Sequence, residues 1–230
     1  MTDYAPSTPD PENGFAVLFD WDGVVVDSSR HHLLSWRALA AEIGRTITDE
    51  QFRESFGQMN RIIIPDLFGW SQDPQEIDRL GRRKEELYRK VVAEEGIIPL
   101  KGVRELIDSL GDAGVPRVIG TSTERENIRV ALEVMDLENS FEGVVASEDV
   151  TRGKPDPEVF LRAAEIAGMP PARCVVLEDS HHGLRAAAAG GMRMVGVLTT
   201  HSREKLGDAD LYVESVADLS VDRLRGLVVR

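Results

Sequence analysis

The chain has 230 residues, 42% of them hydrophobic and 29% charged, an ordinary globular composition with room for one large domain or a domain carrying an insertion. Its formal net charge of -13 argues against a nucleic-acid partner, because that binding depends on basic patches that neutralise phosphates. No apolar run approaches the roughly 18 residues of a membrane helix, and no signal-peptide pattern opens the chain, so a cytoplasmic protein without a membrane partner is expected.

In chain order, residues 1–14 are rich in Pro, Asp, Ser and Thr and read as a loosely attached tail. Phe15 to Asp20 reads as a buried strand: Val17, Leu18 and Phe19 run into Asp20 and Asp22, spaced i, i+2, with Gly23 behind them. From Ser28 to Arg45, Leu33, Leu34, Trp36, Leu39, Ala40 and Ile43 recur at helical spacing. Further helical pattern covers Asp49 to Phe56, Met59 to Phe68 and Pro74 to Glu95, with no strand between them. The texture then changes. Strands at Arg117 to Gly120, Gly143 to Ala146, Cys174 to Leu177, Arg193 to Val197 and Leu211 to Val213 alternate with helices at Val103 to Leu110, Arg125 to Met135, Pro157 to Ala167 and Gly183 to Ala189.

That alternation predicts an α/β fold with a parallel sheet and helices on both faces, interrupted after its first strand by a small all-α insertion. The expected division is a core from residues 15–28 and 97–230, and a helical domain from 29–96.

Ligands of open α/β sheets collect at the carboxyl ends of the strands. Those ends carry Asp20 and Asp22; Thr121 and Ser122; the loop reaching Lys154; and Glu178 with Asp179. Taken singly, such residues are more often helix caps or solvated loop charges. Together they are the parts of a phosphoryl-transfer site: a carboxylate nucleophile, oxygen ligands for a hard divalent ion, and a cation for the phosphoryl oxygens. Asp20 is placed as the nucleophile and Asp22 as the general acid/base. Asp20, Asp22, Glu178 and Asp179 would hold Mg2+, and Thr121, Ser122 and Lys154 would bind the phosphoryl group.

Other phosphate sites are disfavoured. Gly153-Lys154 is followed by Pro155, so it is no Walker A loop, and no Gly-x-Gly-x-x-Gly follows the first strand. Cys174 lacks the arginine of a Cys-x5-Arg phosphatase, because Ser180 occupies that place, and it reads as a core thiol. His181 and His182 follow the second acidic pair, but oxygen ligands suit magnesium better than a zinc site would.

Asp20-Trp21-Asp22-Gly23-Val24, Gly120-Thr121-Ser122, Gly153-Lys154-Pro155-Asp156-Pro157 and Leu177-Glu178-Asp179-Ser180 resemble the four ordered motifs of the haloacid dehalogenase superfamily. The resemblance covers about residues 15 to 219 and implies a Rossmann-like core, magnesium and an aspartyl-phosphate on Asp20. An insertion between the first two motifs is similar to the subclass with a small helical cap, which includes sugar-phosphate phosphatases and β-phosphoglucomutase. Asp22 fits the phosphoryl-transfer branch better than dehalogenation. His32 with Trp36, and Lys84 with Tyr88, resemble cap positions that face substrate in the mutase, and Arg61 would add a cap cation.

Glu124 stands where the mutase has a phosphate-binding lysine, and a carboxylate there would repel a second phosphate. A phosphatase acting on a small phosphorylated metabolite is therefore expected ahead of a sugar-phosphate mutase, with a non-catalytic phosphate-binding module as the third reading. The substrate's identity and the oligomeric state are not legible at this level.

Overall fold

The computed structural model describes residues 14–55 and 58–228. The expected tail at 1–14 lies outside the described residues except for Gly14, and Phe56 and Gly57 also lie outside them. The chain divides into two compact units, one drawn from Met1–Asp27, Ile98–Arg129 and Asp136–Arg230, the other from Ser28–Ile97 and Val130–Met135.

The elements run β1 (Ala16–Phe19), α1 (Ser29–Glu42), α2 (Asp49–Ser55), α3 (Asn60–Ile62), α4 (Pro74–Glu95), α5 (Val103–Asp112), β2 (Arg117–Gly120), α6 (Arg125–Val134), β3 (Gly143–Val145) and α7 (Glu158–Ile166). After them come β4 (Cys174–Glu178), α8 (His181–Ala189), β5 (Arg193–Val197), α9 (Arg203–Leu206), β6 (Leu211–Val213) and α10 (Val221–Val228).

The first unit is built on a six-stranded sheet in the order β3-β2-β1-β4-β5-β6, with every pairing parallel. All four residues of β1 are buried, as are all five of β4, which explains why these strands read as continuous apolar runs rather than alternating ones. Val118, Leu18 and Val176 join Phe160 and Ala163 of α7 and Ala186 and Ala187 of α8 in one core cluster. Cys174 belongs to the same cluster, and burial pushes its thiol up to about 12, which leaves it inert at neutral pH. The strand order reverses between β1 and β4, so the crevice that such sheets use for ligands opens at the ends of these two strands.

The helical unit contains no strand among its described residues. Its α1 and α4 pack through Trp36, Leu39, Leu80 and Leu87, with Ile63, Ile64 and Phe68 closing the cluster. Asp73 caps α4, accepting from Gln75 N at 3.1 Å, Pro74 occupies the first turn and Gly96 at φ 75° ends the helix. The single helix expected over Met59 to Phe68 is instead α3 followed by a π-helical turn, Ile63–Leu67. Pro65 explains the break: it has no N–H to donate, and Phe68 N reaches back five residues to Ile63 O. Among the described residues no helix is long and apolar enough to cross a membrane.

Candidate active site

Parallel register assembles the site. Phe19 pairs with Leu177, and the ladder continues one step further as Asp20 N donates to Leu177 O at 3.0 Å, which sets Asp20 beside Glu178. On the other flank Phe19 pairs with Ile119, bringing Thr121 to the same edge. One oxygen each from Asp20, Glu178 and Asp179 lies within 4.8 Å of the other two, and all three residues are buried. Lys154 Nζ donates to Asp20 Oδ1 at 2.7 Å and to Glu178 Oε2 at 2.8 Å, while its ammonium lies 4.7 Å from the centre of the Phe160 ring.

The electrostatics are unbalanced. Burial works against the charge on Lys154, but Asp20 and Glu178 outweigh it and hold the ammonium above the ordinary lysine range. Burial, and then Glu178, push Asp20 up to about 7 despite Lys154. Asp179 goes up to about 8 for the same two reasons, with Asp20 adding to them. One ammonium thus faces three buried carboxylates. A divalent cation would balance the remainder, and a donor set of carboxylate oxygens without histidine or cysteine fits a hard ion such as Mg2+.

The other expected residues fall as follows. Asp22 lies in the turn after β1, where its Oδ2 accepts from Thr123 Oγ1 at 2.6 Å, and its carboxylate is not part of the three-residue group. Thr121 is buried, its Oγ1 accepting from Thr123 N at 3.1 Å, whereas Ser122 is exposed. Glu178 Oε1 is gripped by Ser180, through N at 3.0 Å and Oγ at 2.7 Å, and Ser180 Oγ in turn accepts from Gly183 N to cap α8. Two glycines are required here. A Cβ on Gly183 would lie 1.9 Å from Glu178 Oε2, and one on Gly23, at φ +77°, would lie 1.9 Å from Asp179 Oδ2. Trp21, between the two aspartates, is wholly buried, and its indole Nε1 has no hydrogen-bond partner among the described residues.

Within the helical unit, His32, Trp36, Lys84 and Tyr88 come together, while Arg61 is exposed on α3. Lys84 Nζ lies 2.7 Å from His32 Nδ1 and 2.9 Å from Glu85 Oε1, with the Trp36 and Tyr88 rings 5.5 and 5.4 Å away. Desolvation, reinforced by Lys84, holds His32 well below its ordinary value, so the ring is neutral and Nδ1 accepts from the ammonium.

Asn60 Nδ2 donates to Glu85 Oε1 at 2.7 Å. Neither Asn60 nor Glu85 was expected from the sequence, although Glu85 directly follows Lys84. Burial raises Glu85, but Lys84, His32 and Asn60 outweigh it and bring the carboxyl from 4.5 down to about 2. Because the folded value is depressed, this stability is full above about pH 4.5 and is lost as pH falls through about 2. A shift of that size corresponds to roughly 3 kcal/mol. Urea unfolding should therefore show the advantage of wild type over Glu85→Gln shrinking between pH 6 and pH 2. A gap that does not change with pH would refute the assignment.

With the geometry in view, the class of protein is settled by comparison. The family model for haloacid dehalogenase-like hydrolases matches residues 17–197, and the chain belongs to that family. Among curated relatives, it is 33% identical to the chloroplastic 5-amino-6-(5-phospho-D-ribitylamino)uracil phosphatase of Arabidopsis thaliana, over 91% of this chain. The chain spans only 57% of the length of that relative. It is 30% identical to the β-phosphoglucomutase of Bacillus subtilis, over 91% of this chain and 93% of the mutase. Among solved structures, CbbY from Rhodobacter sphaeroides in complex with phosphate superposes with a TM-score of 0.82 at 26% identity, covering 91% of this chain and 98% of that one.

Proposed function

We propose that the protein is a Mg2+-dependent phosphatase that hydrolyses a small phosphomonoester, such as a sugar phosphate, through an aspartyl-phosphate on Asp20. The observation that carries this reading is the meeting of Asp20, Glu178, Asp179 and Lys154, drawn from three separate stretches of chain, at one strand edge.

In this proposal Lys154 orients Asp20 by holding Oδ1. An Asp20 oxygen attacks phosphorus, the bond from phosphorus to the leaving oxygen breaks, and Asp22 gives that oxygen its proton. Asp22 then takes a proton from water as the water attacks the same phosphorus. The bond to Asp20 breaks, inorganic phosphate leaves, and the carboxylate is restored. Asp20, Glu178 and Asp179 would hold the ion, with Asp22 contributing from the turn. When bound, Mg2+ supplies positive charge beside the phosphoryl oxygens and keeps the neighbouring carboxylates ionised. Lys154, Thr121 and Ser122 bind the phosphoryl group, and the helical unit serves as the cap that selects the leaving group, through His32, Lys84 and Arg61.

The likeness to β-phosphoglucomutase keeps a mutase as the competing reading. Glu124, next to Thr123, argues for hydrolysis because a second phosphate would meet its charge. A panel of phosphorylated metabolites, including β-glucose 1-phosphate, should release phosphate only when Mg2+ is present. Isomerised sugar phosphate with little free phosphate would establish the mutase instead, and neither product would leave a non-catalytic binding module.

A further inference from the structure

We propose that Thr200, on the loop after β5, is a positioning residue that fixes Asp179 for metal binding, with Thr199 and His201 holding the loop in place. This rests on the reading of Asp179 as a ligand of the divalent ion.

The loop is tied down at its start, where Leu198 N donates to Val213 O at 2.9 Å. Three consecutive residues then grip the acidic edge. Thr199 Oγ1 donates to the Gly23 carbonyl, Thr200 Oγ1 lies in the space beside the Asp179 carboxylate, and His201 Nδ1 lies 3.1 Å from the Asp179 carbonyl. A carbonyl only accepts, so that nitrogen carries the proton. Asp179 is thus held at its main chain by His201 and faced at its side chain by Thr200.

The contacts are also close-packed. The point where a Gly23 Cβ would sit is 1.9 Å from Asp179 Oδ2 and 2.8 Å from Thr200 Oγ1, so Gly23, Asp179 and Thr200 share one small volume. Thr200 is exposed, yet its Oγ1 lies beside a carboxylate that is only 6% exposed. Asp179 stands in the short link between the end of β4 and the Ser180 cap of α8. Hydrogen bonds to a ligating carboxylate set its orientation, and removing such a partner typically lowers metal affinity by about 10- to 100-fold.

Calorimetric titration with Mn2+ tests this without relying on turnover. Wild type should bind, Thr200→Val should bind about 10-fold more weakly or worse, and Thr200→Ser, which keeps the hydroxyl, should stay within about threefold. In assays with a phosphorylated substrate, Thr200→Val should need more Mg2+ for half-maximal rate, while the KM for substrate at saturating Mg2+ holds. Circular dichroism checks that each variant is folded, and Thr200→Ala replaces the valine variant if that one is not.

Equal Mn2+ affinity in wild type and the hydroxyl-free variant would overturn the inference and leave the proposed function standing. An equal loss in Thr200→Ser would also overturn it, because the hydroxyl would then not be the feature that matters. Failure of wild type itself to bind Mn2+ would remove the metal reading, and this inference with it.

Discussion

Asp20→Asn should abolish phosphate release, by at least on the order of 10^4-fold, while leaving the fold intact. The change keeps the size of the side chain and an oxygen for Lys154, so the hydrogen bond now measured at 2.7 Å has a replacement acceptor. It removes one negative charge from a group in which burial and Glu178 already oppose ionisation, so the apo protein should be no less stable than wild type. What it takes away is the nucleophile. Steady-state phosphate release and acid quenching for phosphorylated protein check both halves of the claim: wild type should yield trapped phosphoenzyme and the variant none. Turnover that survives the substitution would refute Asp20 as the attacking group.

Lys154→Met should be the more damaging change for the molecule as a whole. The lysine side chain is 8% exposed and its partners Asp20 and Glu178 are 11% and 0% exposed, so water does little to screen the three. Methionine restores most of the volume and the contact with Phe160, but it leaves the buried carboxylates without their ammonium. Breaking a buried pair in this way costs about 3 to 5 kcal/mol. The expected result is a loss of activity together with a lower melting temperature in the absence of metal. Saturating Mg2+ should restore part of the stability, through its binding to the folded state alone, without restoring turnover. An apo variant as stable as wild type would mean that the carboxylates are not charged in the resting protein.

Much of the core is legible in the amino-acid sequence. The bounds of β2, β5, β6 and α4 agree with the sequence reading at both ends, because each is an apolar or amphipathic run closed by turn chemistry. Where the reading slipped, a local cause is visible. Helix α8 begins at His181 rather than Gly183 because Ser180 provides its cap two residues earlier. Helix α10 was not expected at all: its eight residues contain Gly226, and only Leu224, Leu227 and Val228 are buried, too short a stripe to stand out. The stretch from Met59 to Phe68 breaks because Pro65 has no N–H to donate, a signal that the helical spacing of its neighbours masks.

The candidate site divides along the same line. That two carboxylates, a lysine and a second acidic pair would stand at strand ends followed from residue type and from the alternation of strands with helices. That Thr123 would take Asp22, that Thr200 would reach Asp179 and that Glu85 with Asn60 would hold Lys84 did not follow. Threonines 199 and 200 lie in the loop just after β5, as Thr121 lies just after β2, and the same strand-end rule could have singled them out.

What the amino-acid sequence determined by itself was the chemical inventory and the class of fold, since both depend on side-chain identity and on periodicities a few residues long. Tertiary structure alone decided which oxygen faces which hydrogen. Those pairings join residues up to 176 positions apart, as Thr199 and Gly23 show, and they depend on strand order and register, which no local pattern encodes.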